Sequence, residues 1–145
     1  LYSLLGDFDG KSFLDMFGGS GIMGIEAISR GFGYVQVFEK NKTVADIIKS
    51  NYKSLGLSPR LLTGDSLKLV KLMTEKFDVV YIDPPYISEV YSVLGENKEI
   101  FSSVVKPDTV FVFEHNEEKS FPIYEVVKKK KYGDKFLTFC KYKYA

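Results

Sequence analysis

Ser12-Phe13-Leu14-Asp15-Met16-Phe17-Gly18-Gly19-Ser20-Gly21 joins a short apolar run to a cluster of glycines, and Ile22 to Arg30 follows with apolar residues at helical spacing. The pattern is strand, tight loop, helix. It recurs with Tyr34-Val35-Gln36-Val37-Phe38-Glu39 as a second strand and Thr43 to Leu55 as a helix, where Val44, Ile47, Ile48, Tyr52 and Leu55 share one face and Gly56 stops the run. Arg60 to Thr63 and Ser66 to Thr74 form a third strand and helix, and Phe77 to Ile82 a fourth strand. A helical segment near Asn97 to Val105 leads into a fifth strand, Thr109 to Glu114. Such alternation predicts an α/β fold: a mostly parallel sheet with helices on both faces and right-handed crossovers. Ile123 to Lys131 and Lys135 to Tyr144 are separated only by Tyr132-Gly133-Asp134, too little chain for a crossover, so the fold is expected to close with a C-terminal antiparallel hairpin. A pure dinucleotide fold pairs its last strands in parallel and has no such ending.

At 145 residues, 45% hydrophobic and 27% charged, the chain is expected to form one domain over residues 1–145. A domain of that size buries about 68–70% of its unfolded surface. The composition excludes disorder, collagen and coiled coil. A single cysteine, Cys140, makes neither an internal disulfide nor a thiolate metal site, which points to the cytoplasm. No apolar run reaches the ~18–20 residues that span a bilayer, and no signal pattern opens the chain, so no membrane association is expected. Leu1-Tyr2-Ser3-Leu4-Leu5 starts inside an apolar stretch without an initiator Met, and an upstream segment is expected to be missing.

Net charge is only +1, yet from Lys119 to Ala145 eight lysines face Glu125 and Asp134, a balance of +6 that leaves −5 for the remainder. Lys128 to Lys131 form the core of this basic end. Two readings stand: a docking surface for a polyanion, or a solvated strand edge that lysines keep from pairing with other edges.

Gly18 to Gly21 lie between a strand and a helix, where backbone N–H groups and absent side chains let a ligand approach closely. Gly19, Gly21 and Gly24 fit the G-x-G-x-x-G spelling, and Glu39, 20 residues beyond Gly19, ends the second strand. A strand-end carboxylate binds a ribose diol through two hydrogen bonds, so this pattern identifies a nucleoside and leaves a nicotinamide cofactor and S-adenosylmethionine equally open. A tight turn with close helix packing is the structural alternative. Asp65 in Thr63-Gly64-Asp65-Ser66 is placed to accept from an adenine amino group and equally to cap a helix. Asp15, inside an apolar strand, is costly to bury unpaired and suits a cationic group such as an amino-acid ammonium, or a structural backbone bond.

Asp83-Pro84-Pro85-Tyr86 directly follows the apolar fourth strand. Each proline forces an extended conformation on the residue before it, holding the Asp83 carboxylate and the Pro84 carbonyl at the carboxyl edge of the sheet, where open α/β folds bind ligands. Two fixed acceptors on the N–H groups of an exocyclic amine would pyramidalise its nitrogen and aim the lone pair at an activated methyl group. Tyr86 offers a face on which an extruded base can stack.

The stretches FLDMFGGSGIMGIEAISRG, VFEKN, TGDS and FDVVYIDPPY together resemble the class I S-adenosylmethionine-dependent methyltransferases, in particular the bacterial 16S ribosomal RNA guanine-N2 methyltransferase family. The resemblance implies a Rossmann-like seven-stranded sheet whose last strand is antiparallel. It places Asp15 and Gly18 to Gly21 beside the methionine part of the cofactor, Glu39 at the ribose and Asp65 at the adenine, with Phe17, Lys40 and Ser66 also among the cofactor-binding residues. Asp83, Pro84, Pro85 and Tyr86 become the amine-acceptor box, and the partner becomes ribosomal RNA or the small ribosomal subunit. Members carry a basic, proline-containing segment ahead of the first strand, and this is the segment expected to be missing upstream of Leu1.

The expected activity is therefore methylation of an exocyclic amine, guanine N2 in 16S ribosomal RNA, by a cytoplasmic monomer without metal. Adenine N6 in DNA and glutamine in protein offer similar NH2 groups. A nicotinamide oxidoreductase leaves the DPPY box and the hairpin without a purpose, and a non-catalytic RNA-binding module keeps the pocket without turnover. His115, the single histidine, is read as a rim or loop hydrogen-bonding group, because an alkylated amine needs only to lose a proton. Cys140 is read as packing.

Overall fold

A computed structural model describes residues 9–84, 98–116 and 124–142. In chain order it contains β1 (Ser12–Asp15), α1 (Ile22–Ser29), β2 (Tyr34–Glu39), α2 (Lys42–Ser54), β3 (Arg60–Thr63), α3 (Ser66–Leu72), β4 (Val79–Ile82), a 3-10 turn (Lys98–Phe101), β5 (Val110–His115), β6 (Tyr124–Tyr132) and β7 (Lys135–Tyr142). One seven-stranded sheet runs β3-β2-β1-β4-β5-β7-β6. β1 to β5 pair in parallel, while β7 is antiparallel to both β5 and β6. The expected α/β sheet with its terminal hairpin is thus present. After β3 the chain crosses back to the other side of β1, so the carboxyl ends of β1 and β4 form the point at which strand order reverses. Open α/β sheets bind ligands there.

Strand alternation divides the core. Leu14, Val80, Phe111 and Phe113 pack on one face with Val70 of α3 and with Ile100, Phe101 and Val104. Phe13, Val79, Tyr81 and Val112 pack on the other with Ala27 of α1 and Ile48 and Tyr52 of α2. Helical cover on both faces explains why β1 and β4 read as continuous apolar runs.

Two sequence expectations are corrected. The buried stripe of α2 is Ala45, Ile48 and Tyr52, whereas Ile47 and Leu55 are 48% and 59% exposed. The helix seats its smallest apolar side chain against the sheet, and the bulkier Ile47 and Leu55 turn outward. Within Asn97 to Val105 the described residues hold only the Lys98–Phe101 turn, not a helix. Ser102, Ser103 and β-branched Val104 and Val105 propagate a helix poorly, and the Ser103 hydroxyl is donated to the Val70 carbonyl at 2.6 Å.

The glycine spelling has a packing component as well. Gly21 caps α1 at φ 83°, a conformation that disfavours any side chain. A Cβ on Gly24 would lie 3.2 Å from Val37 Cγ2 and would collide with the Tyr52 hydroxyl.

Candidate active site

The loop after β1 is fastened to its neighbours by backbone bonds: Met16 N–H donates to Tyr81 O at 3.1 Å and Gly18 N–H to Phe38 O at 2.8 Å. From α2, the Asn51 side-chain amide donates to Ser20 O at 2.8 Å. These ties hold the glycine loop across the carboxyl ends of β1, β2 and β4. Beneath it opens a cavity of about 610 Å³, within the size range of small-molecule sites.

Asp15, the last residue of β1, is 1% exposed and lines this cavity. Its Oδ1 accepts from Phe17 N–H at 3.2 Å, while Oδ2 is buried without a hydrogen-bond partner. Burial pushes the carboxyl up to about 7, against the Phe17 bond, and the charges of Asp83 and Glu39 add to the rise. An acceptor so placed fits a cationic ligand group.

Glu39 closes β2, with Oε1 accepting from Gly19 N–H at 3.1 Å and Oε2 from Asn41 N–H at 2.9 Å. It pins the loop and keeps a second lone pair on each oxygen for ligand hydroxyls. Asp65 caps α3, accepting from Leu67 N–H at 2.9 Å, and also faces the cavity. The buried Ser66 hydroxyl is donated to Met16 O, so this residue braces the cavity wall.

Past β4, Asp83 and the buried Pro84 line the same cavity. Asp83 stands beside Glu114 of β5, and burial, followed by the Glu114 charge, raises its carboxyl to about 6, with Lys135 opposing. The Tyr81 hydroxyl donates to Glu114 Oε2, and Lys135 Nζ lies 3.3 Å from Glu114 Oε1. Burial, with the Glu114 bond, also raises the Tyr81 phenol far above its ordinary value.

The cavity lining thus gathers Asp15, Phe17, Gly18, Gly19, Ser20, Glu39, Lys40, Asp65, Ser66, Asp83 and Pro84. Gly21 is not in the lining; its place is the α1 cap. Pro85 and Tyr86 lie outside the described residues. The lining adds Ile22, Met23, Leu67 and Tyr81. Ile22 and Leu67 directly follow motif residues, Met23 comes one position later, and Tyr81 sits two before Asp83 on the same face of β4, a period-2 signal present in the sequence. His115 is buried in β5, not on a rim or loop, with Nε2 2.8 Å from Thr138 Oγ1 and its ring stacked on Phe136. Cys140 is fully buried in the core, as expected. Among the described residues no group of His, Cys, Asp and Glu gathers as metal ligands, and no helix is long and apolar enough to cross a membrane.

The sequence pattern of the family described as conserved hypothetical protein 95 matches residues 1–141. The chain belongs to this family. A relative of this conserved hypothetical protein 95 member, ribosomal RNA small subunit methyltransferase D of Haemophilus influenzae, is 34% identical over 115 residues. That match covers 73% of this chain and 57% of the relative's length. Among solved structures, a conserved hypothetical protein of Streptococcus pyogenes superposes with a TM-score of 0.80 at 26% identity, covering 98% of this chain and 92% of that one. The ribosomal protein L11 methylase of Lactobacillus delbrueckii shares the fold alone, with a TM-score of 0.78 at 16% identity over 97% of this chain and 74% of that one. The seven-stranded arrangement of this conserved hypothetical protein 95 member is accordingly the Rossmann-like methyltransferase sheet.

Proposed function

We propose that this protein transfers a methyl group from S-adenosylmethionine to an exocyclic amino group of a nucleobase, guanine N2 of 16S ribosomal RNA. The observation that carries the reading is that Asp83 and Pro84 line the same cavity as Asp15, the glycine loop and Glu39. A nucleoside cradle and a fixed pair of amine acceptors thus share one space. The name of the Haemophilus relative, a small-subunit ribosomal RNA methyltransferase, supports the substrate class.

The residues present fit the cofactor. Asp15 Oδ2 suits its ammonium, the spare lone pairs of Glu39 its ribose hydroxyls, and Asp65 its adenine amine. When bound, S-adenosylmethionine supplies a methyl carbon activated by an adjacent sulfonium. Phe17, Ile22 and Leu67 give the cavity part of its apolar lining. The Asp83 carboxylate and the Pro84 carbonyl accept the two N–H groups of the target amine, pyramidalise its nitrogen and stabilise the positive charge that develops there. Tyr86 stacks on the base, an interaction worth about 1–3 kcal/mol, which offsets much of the unstacking cost.

Asp83→Ala is expected to keep its affinity for S-adenosylhomocysteine, measured by calorimetry, and to lose at least about tenfold in transfer of tritiated methyl to ribosomal RNA. Unchanged turnover would remove Asp83 from the mechanism. Scanning fluorimetry with S-adenosylhomocysteine against NAD separates this reading from nicotinamide chemistry. Stripped 16S RNA and small subunits, assayed side by side, identify the form of the substrate.

A further inference from the structure

The register Ile82↔Phe113 sets the next residues of the two strands, Asp83 and Glu114, side by side at the carboxyl edge. Glu114 is held from two further directions, by the Tyr81 hydroxyl on Oε2 and by Lys135 of β7 on Oε1 at 3.3 Å. β4 and β7 thus each contribute one side chain to fixing Glu114, which also stands beside Asp83. We propose that Glu114, braced by Tyr81 and Lys135, is a positioning residue that holds the Asp83 carboxyl toward the cavity and sets its state of charge.

This inference rests on the reading of Asp83 as the amine acceptor. To share the two N–H groups of the amine with the Pro84 carbonyl and offset its developing charge, Asp83 must be ionised and must not rotate. Glu114 supplies both controls: standing beside Asp83 by strand register and itself held by Tyr81 and Lys135, it limits rotation of the Asp83 carboxyl, and its charge resists ionisation of Asp83. Lys135, half-exposed on the hairpin, offsets that charge. Among the described residues the other ionisable groups facing Asp83 are Asp15 from β1 and Tyr81 from β4, while Asp134 of the hairpin turn acts on Lys135. His115, the neighbour of Glu114, turns instead to Thr138.

Two substitutions of opposite sign test the idea. Glu114→Gln removes a negative neighbour and keeps an acceptor for Tyr81, so Asp83 should ionise at lower pH. Lys135→Met removes the positive neighbour, and Asp83 should ionise at higher pH. Carbon-13 NMR titration of labelled aspartate carboxyls in the ligand-free protein, with Asp83→Asn for assignment, reads both shifts, each expected to be about half a pH unit or more. The acid limb of kcat for methyl transfer should move with them, while affinity for S-adenosylhomocysteine stays unchanged. Equal Asp83 midpoints in wild type and in Lys135→Met would overturn the proposal, even if Glu114→Gln failed to fold. Opposite shifts without methyl transfer to any nucleobase amine would leave Glu114 in control of Asp83 and overturn the amine-acceptor reading instead.

Discussion

At Asp15 the demands of folding and of ligand binding oppose each other on a single oxygen, since Oδ2 is buried with no partner. Its carboxyl stands at about 7 in the folded chain against 3.8 ordinarily, raised first by burial. Folding therefore favours the protonated form. The stabilisation is fully present below about pH 4 and is lost as pH rises through 7, with an ionised Asp15 costing on the order of 4 kcal/mol. Asp15→Asn keeps the shape and discards the charge, so the ligand-free variant should melt several degrees above wild type at pH 8 and equal it at pH 4. The same variant should bind S-adenosylhomocysteine more weakly, having lost the anion that meets the ammonium. Wild-type binding at pH 6 should release up to one proton, visible as a calorimetric heat that depends on the buffer. A variant no more stable than wild type at pH 8, with unchanged proton release, would assign Asp15 a purely structural role. This residue was legible in the sequence because a carboxylate inside an apolar strand demands an explanation. Glu114 was not, because its meaning comes from Asp83, 31 positions earlier, and the two meet only through strand register.

Between elements, one acidic side chain that the sequence did not single out fastens the amino-terminal end of the sheet. Asp78 Oδ2 accepts from Ser12 N–H at 2.8 Å and from Ser12 Oγ at 3.1 Å, and Oδ1 pairs with Lys106 Nζ at 2.6 Å. Its backbone bridges the same strands, with Asp78 N–H donating to Ser12 O and Val110 N–H to Asp78 O. Burial alone would raise this carboxyl, but Lys106 and Ser12 together hold it below the usual range. The sign is the reverse of Asp15: the stabilisation is present above about pH 4 and disappears as pH falls through the depressed value. Asp78→Ala should lower the urea unfolding free energy by about 2–3 kcal/mol at pH 7 with an unchanged slope, and the difference from wild type should shrink in acid. A constant difference across pH would show that the loss comes from packing and not from charge. The strands were readable because burial on both faces writes continuous apolar runs. The inward side of α2 was not, because hydrophobicity marks Ile47 and Leu55 as readily as Ile48, while clearance against the sheet decides for Ala45.

Across the whole molecule, charge and cavity converge on one edge. β6 is the outermost strand, and its Lys128 to Lys131 are exposed. Phe136 pairs with His115 on one side and with Lys131 on the other, so the end of the lysine run lies level with the end of β5, on the same carboxyl edge as Asp83 and three strands along the sheet from β4. Lys128 and Lys131 also rest over the rings of Phe139 and Phe136, at 5.9 and 5.5 Å from their centroids, which keeps their stems against β7. A base reaching Asp83 would bring its flanking phosphates toward this edge. Each phosphate neutralised by a lysine releases a counterion, and the logarithm of affinity falls with the logarithm of salt by about 0.7–0.9 per contact. Replacing Lys128 to Lys131 by glutamine should therefore flatten the salt slope of RNA binding by about one to three units and leave S-adenosylhomocysteine affinity unchanged. A β6 that serves only to guard the sheet edge predicts something else: an unaltered slope, together with faster aggregation of the variant on heating, because the lost charges would free an unpaired strand to join another. Measuring both slope and aggregation on one protein decides between the two roles that sequence composition left open.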